Sequence, residues 1–148
     1  MSPFTPQRLL LPYDFSPIGD GYLIEACHFY SAQSPRPEIF ILHVLSPLPS
    51  TDPAELWQTL PLPARQHKVQ QEFAHRFPAL IPQPHITFQT AIGDPGHEII
   101  HCAQTLAIDL IIMPSHGRRG WSRLLLGSVA ETVIRGTHCP VLVLKDSE

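Results

Sequence analysis

Leu110-Ile111-Ile112-Met113-Pro114-Ser115-His116-Gly117 leads, after nine further residues, into Gly127-Ser128 and then Pro140-Val141-Leu142-Val143-Leu144, and this stretch decides the fold. An apolar run that opens into a glycine-containing loop, a helix start and a second apolar run is a strand-loop-helix-strand unit. Such a unit aims backbone N–H groups and the positive end of a helix dipole at the loop, which suits an anionic group. The first expectation is a phosphate site.

Upstream, short apolar runs alternate with helical spacing. Arg8 to Pro12 reads as a buried strand ended by proline, with a loop from Tyr13 to Pro17. Leu23, Ile24, Ala26, Cys27 and Tyr30 recur at helical spacing between Asp20 and Ser31, and Ser34 to Pro37 break that helix. The apolar character of Glu38 to Leu45 suggests a strand covered on both faces. Ser46 to Pro63 carries Pro47, Pro49, Pro53, Pro61 and Pro63 around Trp57; it reads as an ordered flap or a mobile segment, and its length suggests a functional role. Ala64 to Phe77 shows one apolar stripe of Val69, Phe73, Ala74 and Phe77, and His85 to Ala91 is a third strand with a wetter side. Asp94-Pro95 is an N-cap followed by proline at the first helical position, starting a helix that ends near Ala107.

Five strands alternating with four helices predict an α/β fold: a doubly wound, five-stranded parallel sheet in three α/β/α layers. Ligands of such sheets sit outside the carboxyl ends of the strands, where the strand order reverses. The loops after the first strand (Tyr13 to Ser16), the second (from Val44) and the fourth (Pro114 to Gly127) are expected to converge there.

The 148 residues are read as one domain, and 43% hydrophobic with 16% charged residues is the composition of a globular chain. A net charge of −3 and a sequence pI near 6.3 disfavour a nucleic-acid partner, whose domains usually exceed a pI of about 9. No apolar stretch approaches the roughly 18 residues of a membrane span, and Met1 to Arg8 lacks the pattern of a leader, so the cytoplasm is expected. Cys27, Cys102 and Cys139 are widely spaced with no Cys-x-x-Cys, which predicts reduced, mostly buried thiols.

Two readings of Gly127-Ser128 stay open on chemistry alone. Ser128, Val129 and Ala130 can offer N–H groups to a phosphate, or Ser128-Val129-Ala130-Glu131 can form a capping box in which Ser128 caps its own helix. Arg118, Arg119 and Arg123 suit phosphates or a solvated loop face, and His116 a phosphate or a backbone contact. His97-Glu98-Ile99-Ile100-His101 spells the zinc-protease pattern, yet Ile99, Ile100, Ala103, Leu106 and Ala107 form the inward stripe, leaving both histidines on the wet face without a third ligand. No metal is assigned to them.

The chain resembles the universal stress protein (UspA-like) family over essentially its whole length. ATP-binding members carry G-x2-G-x9-G-[ST] after the fourth strand; here Ser115-His116-Gly117, nine residues and Gly127-Ser128 match all but the first glycine, which is Pro114. Leu124 to Glu131, Cys139 to Val143 and Pro12-Tyr13-Asp14-Phe15-Ser16 resemble the family as well. The resemblance implies a Rossmann-like, adenine nucleotide alpha hydrolase-like fold binding ATP, with or without Mg2+, in a stress-response regulator. It places Pro12, Tyr13 and Asp14 beside the adenosine, the Val44 backbone at the adenine edge, and Met113 and Pro114 along base and ribose. His116, Gly117, Arg119, Gly127, Ser128 and Val129 would surround the phosphates. With no general base assignable and Asp14 the one carboxylate at hand, any hydrolysis is expected to be slow. A homodimer through the last strand (Val141 to Leu144) is also implied. Pro114 has no N–H and a fixed φ, so the alternative is an interaction module of the same fold that has lost the nucleotide.

Overall fold

Two strands that end in proline lie inside the sheet: β1 (Arg8–Pro12) and β4 (Leu110–Pro114). They sit side by side in the computed structural model of the protein, which describes residues 4–48, 51–116 and 125–145. The remaining elements are α1 (Pro17–Ser31), β2 (Glu38–Leu45), a 3-10 helix (Pro53–Thr59), α2 (Leu62–Arg76), β3 (Ile86–Ile92), α3 (Pro95–Thr105), α4 (Ser128–Gly136) and β5 (Val141–Leu144). All five strands are parallel, in the order β3-β2-β1-β4-β5. The chain winds one way from β1 to β3 and the other way from β4 to β5, so the order reverses between β1 and β4.

Alternating side chains of the central strands supply two cores. Leu9, Leu11, Ile39, Ile41, Leu110 and Ile112 face α1 and α2, where they meet Leu23, Cys27 and Phe73. Leu10, Leu42, Ile111 and Met113 face α3 and α4, where they meet Ile99, Ala103, Ala130 and Val133. Burial on both sides is what a parallel sheet requires. At the foot of the sheet the buried Asp109 carboxylate accepts from the N–H groups of Gln7 at 2.9 Å and Arg8 at 3.2 Å, tying β1 to β4.

Two expectations need correction, and the proline-rich segment gains detail. The first helix starts at Pro17, not Asp20: the Ser16 hydroxyl accepts from Gly19 N–H at 2.9 Å and proline follows it, the same device as Asp94-Pro95. The described part of the proline-rich segment holds the 3-10 helix, capped by Asp52, whose carboxylate accepts from Ala54 N–H at 2.9 Å. Ser128 is not the N-cap of α4; Gly127 is, and no side chain among the described residues caps that helix. The capping box therefore does not form, and Glu131 pairs with Arg135 at 2.9 Å. Cys27, Cys102 and Cys139 carry free thiols, the first two buried.

Candidate functional site

The β1–β4 ladder stops short of the strand ends, and proline is the reason. Ile111 and Ser115 donate their N–H groups to Pro140 and Leu144 on the β5 side, at 3.0 and 2.8 Å. By alternation Pro114 faces β1, where it has no N–H to give, and the β1–β4 register ends at Leu10↔Ile111. The Pro12 carbonyl instead accepts the Tyr22 hydroxyl, whose pKa lies well above the usual value, first through burial and then through the Asp14 charge. A gap is left at the carboxyl ends of β1 and β4, on the α3/α4 side.

That gap is a cleft of about 570 Å³. Pro12, Tyr13, Asp14, Val44, Met113, Pro114, His116, Gly127, Ser128 and Val129 all line it, so every described residue of the expected site meets in one place. Gly117 and Arg119, with Arg118, Trp121 and Arg123, lie outside the described residues.

The residues are held in different ways. Val44 is past the last β1 partner of β2, since that pairing ends at Pro12↔Leu42. Tyr13 N–H reaches the Leu42 carbonyl at 2.8 Å while the Leu45 carbonyl takes Gly93 N–H on the β3 side, so the Val44 main chain faces the β1 side, beyond its ladder. Tyr13 itself is 3% exposed, its ring sunk among Phe15, Phe73 and Phe77 on the other face. Its carbonyl accepts His43 Nδ1–H at 2.8 Å, so Tyr13 serves the cleft as an anchor.

Asp14 Oδ1 accepts from Ser16 N–H at 3.0 Å and Ser16 Oγ–H at 2.5 Å, which fixes the carboxylate at the rim. The next residue, Phe15, holds a left-handed φ of 60°, strained for a side chain of its size. Arg76 secures it from α2: Nη1 donates to the Phe15 carbonyl at 3.0 Å and to the Tyr13 hydroxyl at 3.2 Å, pairs with Asp20 at 3.3 Å, and the guanidinium lies 5.3 Å over the Phe15 ring.

At the other end, Gly127 N–H donates to the Ser115 carbonyl at 2.8 Å, joining the start of α4 to the end of β4. A Cβ on Gly127 would stand 2.7 Å from that carbonyl, so the glycine is demanded by backbone packing; its φ of −63° is ordinary. His116 Nδ1 shares a hydrogen bond with Ser115 Oγ at 3.0 Å. His43, Asp94, Ile99 and Ser115 also line the cleft and were not among the expected site residues. A histidine inside an apolar strand was the available signal for His43, and Asp94 was read only as a cap.

His97 and His101 of α3 are on the exposed surface, His97 side chain at 77%, and His97 Nδ1 lies 3.3 Å from Asp94 Oδ2. Among the described residues no three His, Cys, Asp or Glu side chains are grouped to hold a metal.

A family model described as the universal stress protein family matches residues 6–145. The chain belongs to the universal stress protein family. Over 53 residues it is 53% identical to universal stress protein MJ0531 of Methanocaldococcus jannaschii, covering 36% of this chain and 31% of that one. Over 54 residues it is 46% identical to MJ0577 of the same organism, covering 36% and 33%. The matched part thus spans no more than a third of either relative's length. The solved structure of MJ0577, described as a structure-based assignment of biochemical function, superposes with a TM-score of 0.75 at 26% identity, over 96% of this chain and 97% of that one. A universal stress protein solved in complex with cAMP shares the fold, with a TM-score of 0.64 at 20% identity over 96% and 98% of the two chains.

Proposed function

We propose that this universal stress protein binds an adenine nucleotide, ATP foremost, in the cleft between β1 and β4 and acts as a stress-response regulator in the cytoplasm. The observation that carries the reading is the cleft's two-ended chemistry. The Val44 main chain, beyond its β1 ladder, offers a donor and an acceptor to a purine edge; the start of α4, with no side-chain cap among the described residues, offers N–H groups and a helix dipole to phosphates. A volume of about 570 Å³ lies within the range of small-ligand sites, and a chain of this fold has been solved with cAMP.

The residues fit the nucleotide better than they fit a separate metal. Asp14 is the described carboxylate in the expected set, and its Oδ1 is engaged by Ser16. A Mg2+ would therefore be held chiefly by the nucleotide's own phosphates, as is usual for this ion. No residue is assigned as a general base, and the reading requires no hydrolysis.

Calorimetry with ATP, AMP and buffer tests the proposal. Saturable ATP binding is expected, and Ser128→Asp, which sets a carboxylate at the phosphate end, is expected to weaken it by about ten-fold or more. Absence of saturable binding at millimolar ATP would refute it.

Pro114 favours a second reading, a dimeric interaction module without nucleotide, because it removes a donor from the cleft floor. Pro114→Gly distinguishes the two: it raises ATP affinity if the missing donor is the defect, and has no effect if the module has lost the ligand altogether. In both readings a homodimer through β5 is proposed, with Leu142, 46% exposed, at its centre.

A further inference from the structure

Side-chain alternation along β2 places a second cavity on the opposite face of the sheet. Val44 packs with the α3/α4 core, whereas the His43 ring meets Phe15 at 4.9 Å on the α1/α2 side. There, between the carboxyl end of β2, the 3-10 helix and α2, lies a cavity of about 410 Å³ walled by Leu45, Trp57, Arg65, Lys68 and Val69. It shares only Asp14, His43 and Val44 with the nucleotide cleft.

Charge in this cavity is unbalanced. Arg65 is 4% exposed; Nη1 donates to the Gln58 carbonyl at 3.2 Å, Nη2 donates to the Ser46 carbonyl, and Nε is enclosed with no acceptor among the described residues. Among those residues no carboxylate lies within ion-pairing distance of Arg65 or Lys68. Glu72, also in the wall, is paired with Arg76 at 3.2 Å. A guanidinium taken out of water normally has an anionic partner, because carbonyl dipoles replace only part of its hydration. Beside the two cations, the Trp57 indole with Val69 and Leu45 provides a surface for an apolar body.

We infer that this cavity is a ligand site separate from the nucleotide cleft, for a small organic anion: a planar ring that lies against Trp57 and carries a phosphate, sulfonate or carboxylate held by Arg65 and Lys68. A bound anion supplies the counter-charge that Arg65 lacks. Trp57 and the Arg65-held carbonyls of Gln58 and Ser46 make the 3-10 segment a wall of the site, which gives the proline-rich stretch a role in binding.

Calorimetry on the full chain tests this with phenyl phosphate, using inorganic phosphate and phenol as its two halves. Phenyl phosphate is expected to saturate at millimolar concentration or below, with each half about ten-fold weaker or worse. Lys68→Gln, at an exposed position, and Trp57→Leu are each expected to weaken phenyl phosphate by about five-fold, and Arg65→Met to abolish its binding. Lys68→Gln decides the matter if Arg65→Met fails to fold. Ser128→Asp, in the other cleft, leaves phenyl phosphate unaffected whatever it does to ATP, so the two sites stand or fall separately. No saturable binding of phenyl phosphate, or binding lost in Ser128→Asp but kept in Lys68→Gln, would overturn the inference.

Discussion

Gly127 and Ser128 show how a single residue's role depends on its neighbour across space. On sequence chemistry, Ser128 serves equally as a cap or a phosphate ligand; in the structure the N-cap is Gly127, whose N–H reaches the Ser115 carbonyl in a close approach that a Cβ would crowd. Gly127→Ala would press a Cβ to 2.7 Å from the Ser115 carbonyl, and is expected to cost about 1–3 kcal/mol, read as a lower urea midpoint. Ser128→Asp should act in opposite senses on fold and ligand. A carboxylate in the first turn of α4 is worth about 0.3–1 kcal/mol to the helix, so its midpoint rises while ATP affinity falls. The buried Cys27 thiol gives a pH signature: burial pushes it from 9.0 up to about 12. The folded protein then keeps a proton that the unfolded chain releases. The Cys27 contribution is whole below pH 9 and lost as pH climbs toward 12, so the urea midpoint should decline from pH 9 upward, and Cys27→Ala should flatten the onset of that decline.

At the scale of elements, three helical segments start in one way: Ser16-Pro17, Asp52-Pro53 and Asp94-Pro95 each set an accepting side chain before a proline. Asp94-Pro95 was legible because a clear apolar stripe follows it. Ser16-Pro17 was hidden by the first turn of α1, Ile18-Gly19-Asp20-Gly21, whose two glycines resemble a loop. Asp94→Ala removes the bond to His97 N–H, 3.1 Å long, and should cost about 1 kcal/mol in thermal or urea melting. The helix α2 was legible from its apolar stripe, but the burial of Arg65 beneath the 3-10 segment was not, since no periodicity in one helix reports what another segment lays over it.

For the whole molecule, the decisive fact is the order β3-β2-β1-β4-β5, which reverses between two strands that both end in proline. Neither Pro12 nor Pro114 carries an N–H, so the sheet opens there and the loops after β1, β2 and β4 share one cleft. The proposed β5 dimer belongs to this scale too. Light scattering at micromolar concentration should give twice the monomer mass, and Leu142→Lys should shift it toward monomer; a monomeric parent would refute the interface. By itself the sequence determined the succession of strands and helices, because their signals are local: apolar period, proline, glycine and cap residues within a few positions of one another. Family resemblance extended this to a list of nucleotide-site residues. Only the tertiary structure decided that Pro114 faces β1, that Gly127 closes on Ser115, that Tyr13 points away from the cleft, and that Arg65 has no carboxylate partner among the described residues. Each of those depends on which distant segment arrives alongside, and chain spacing carries no record of that.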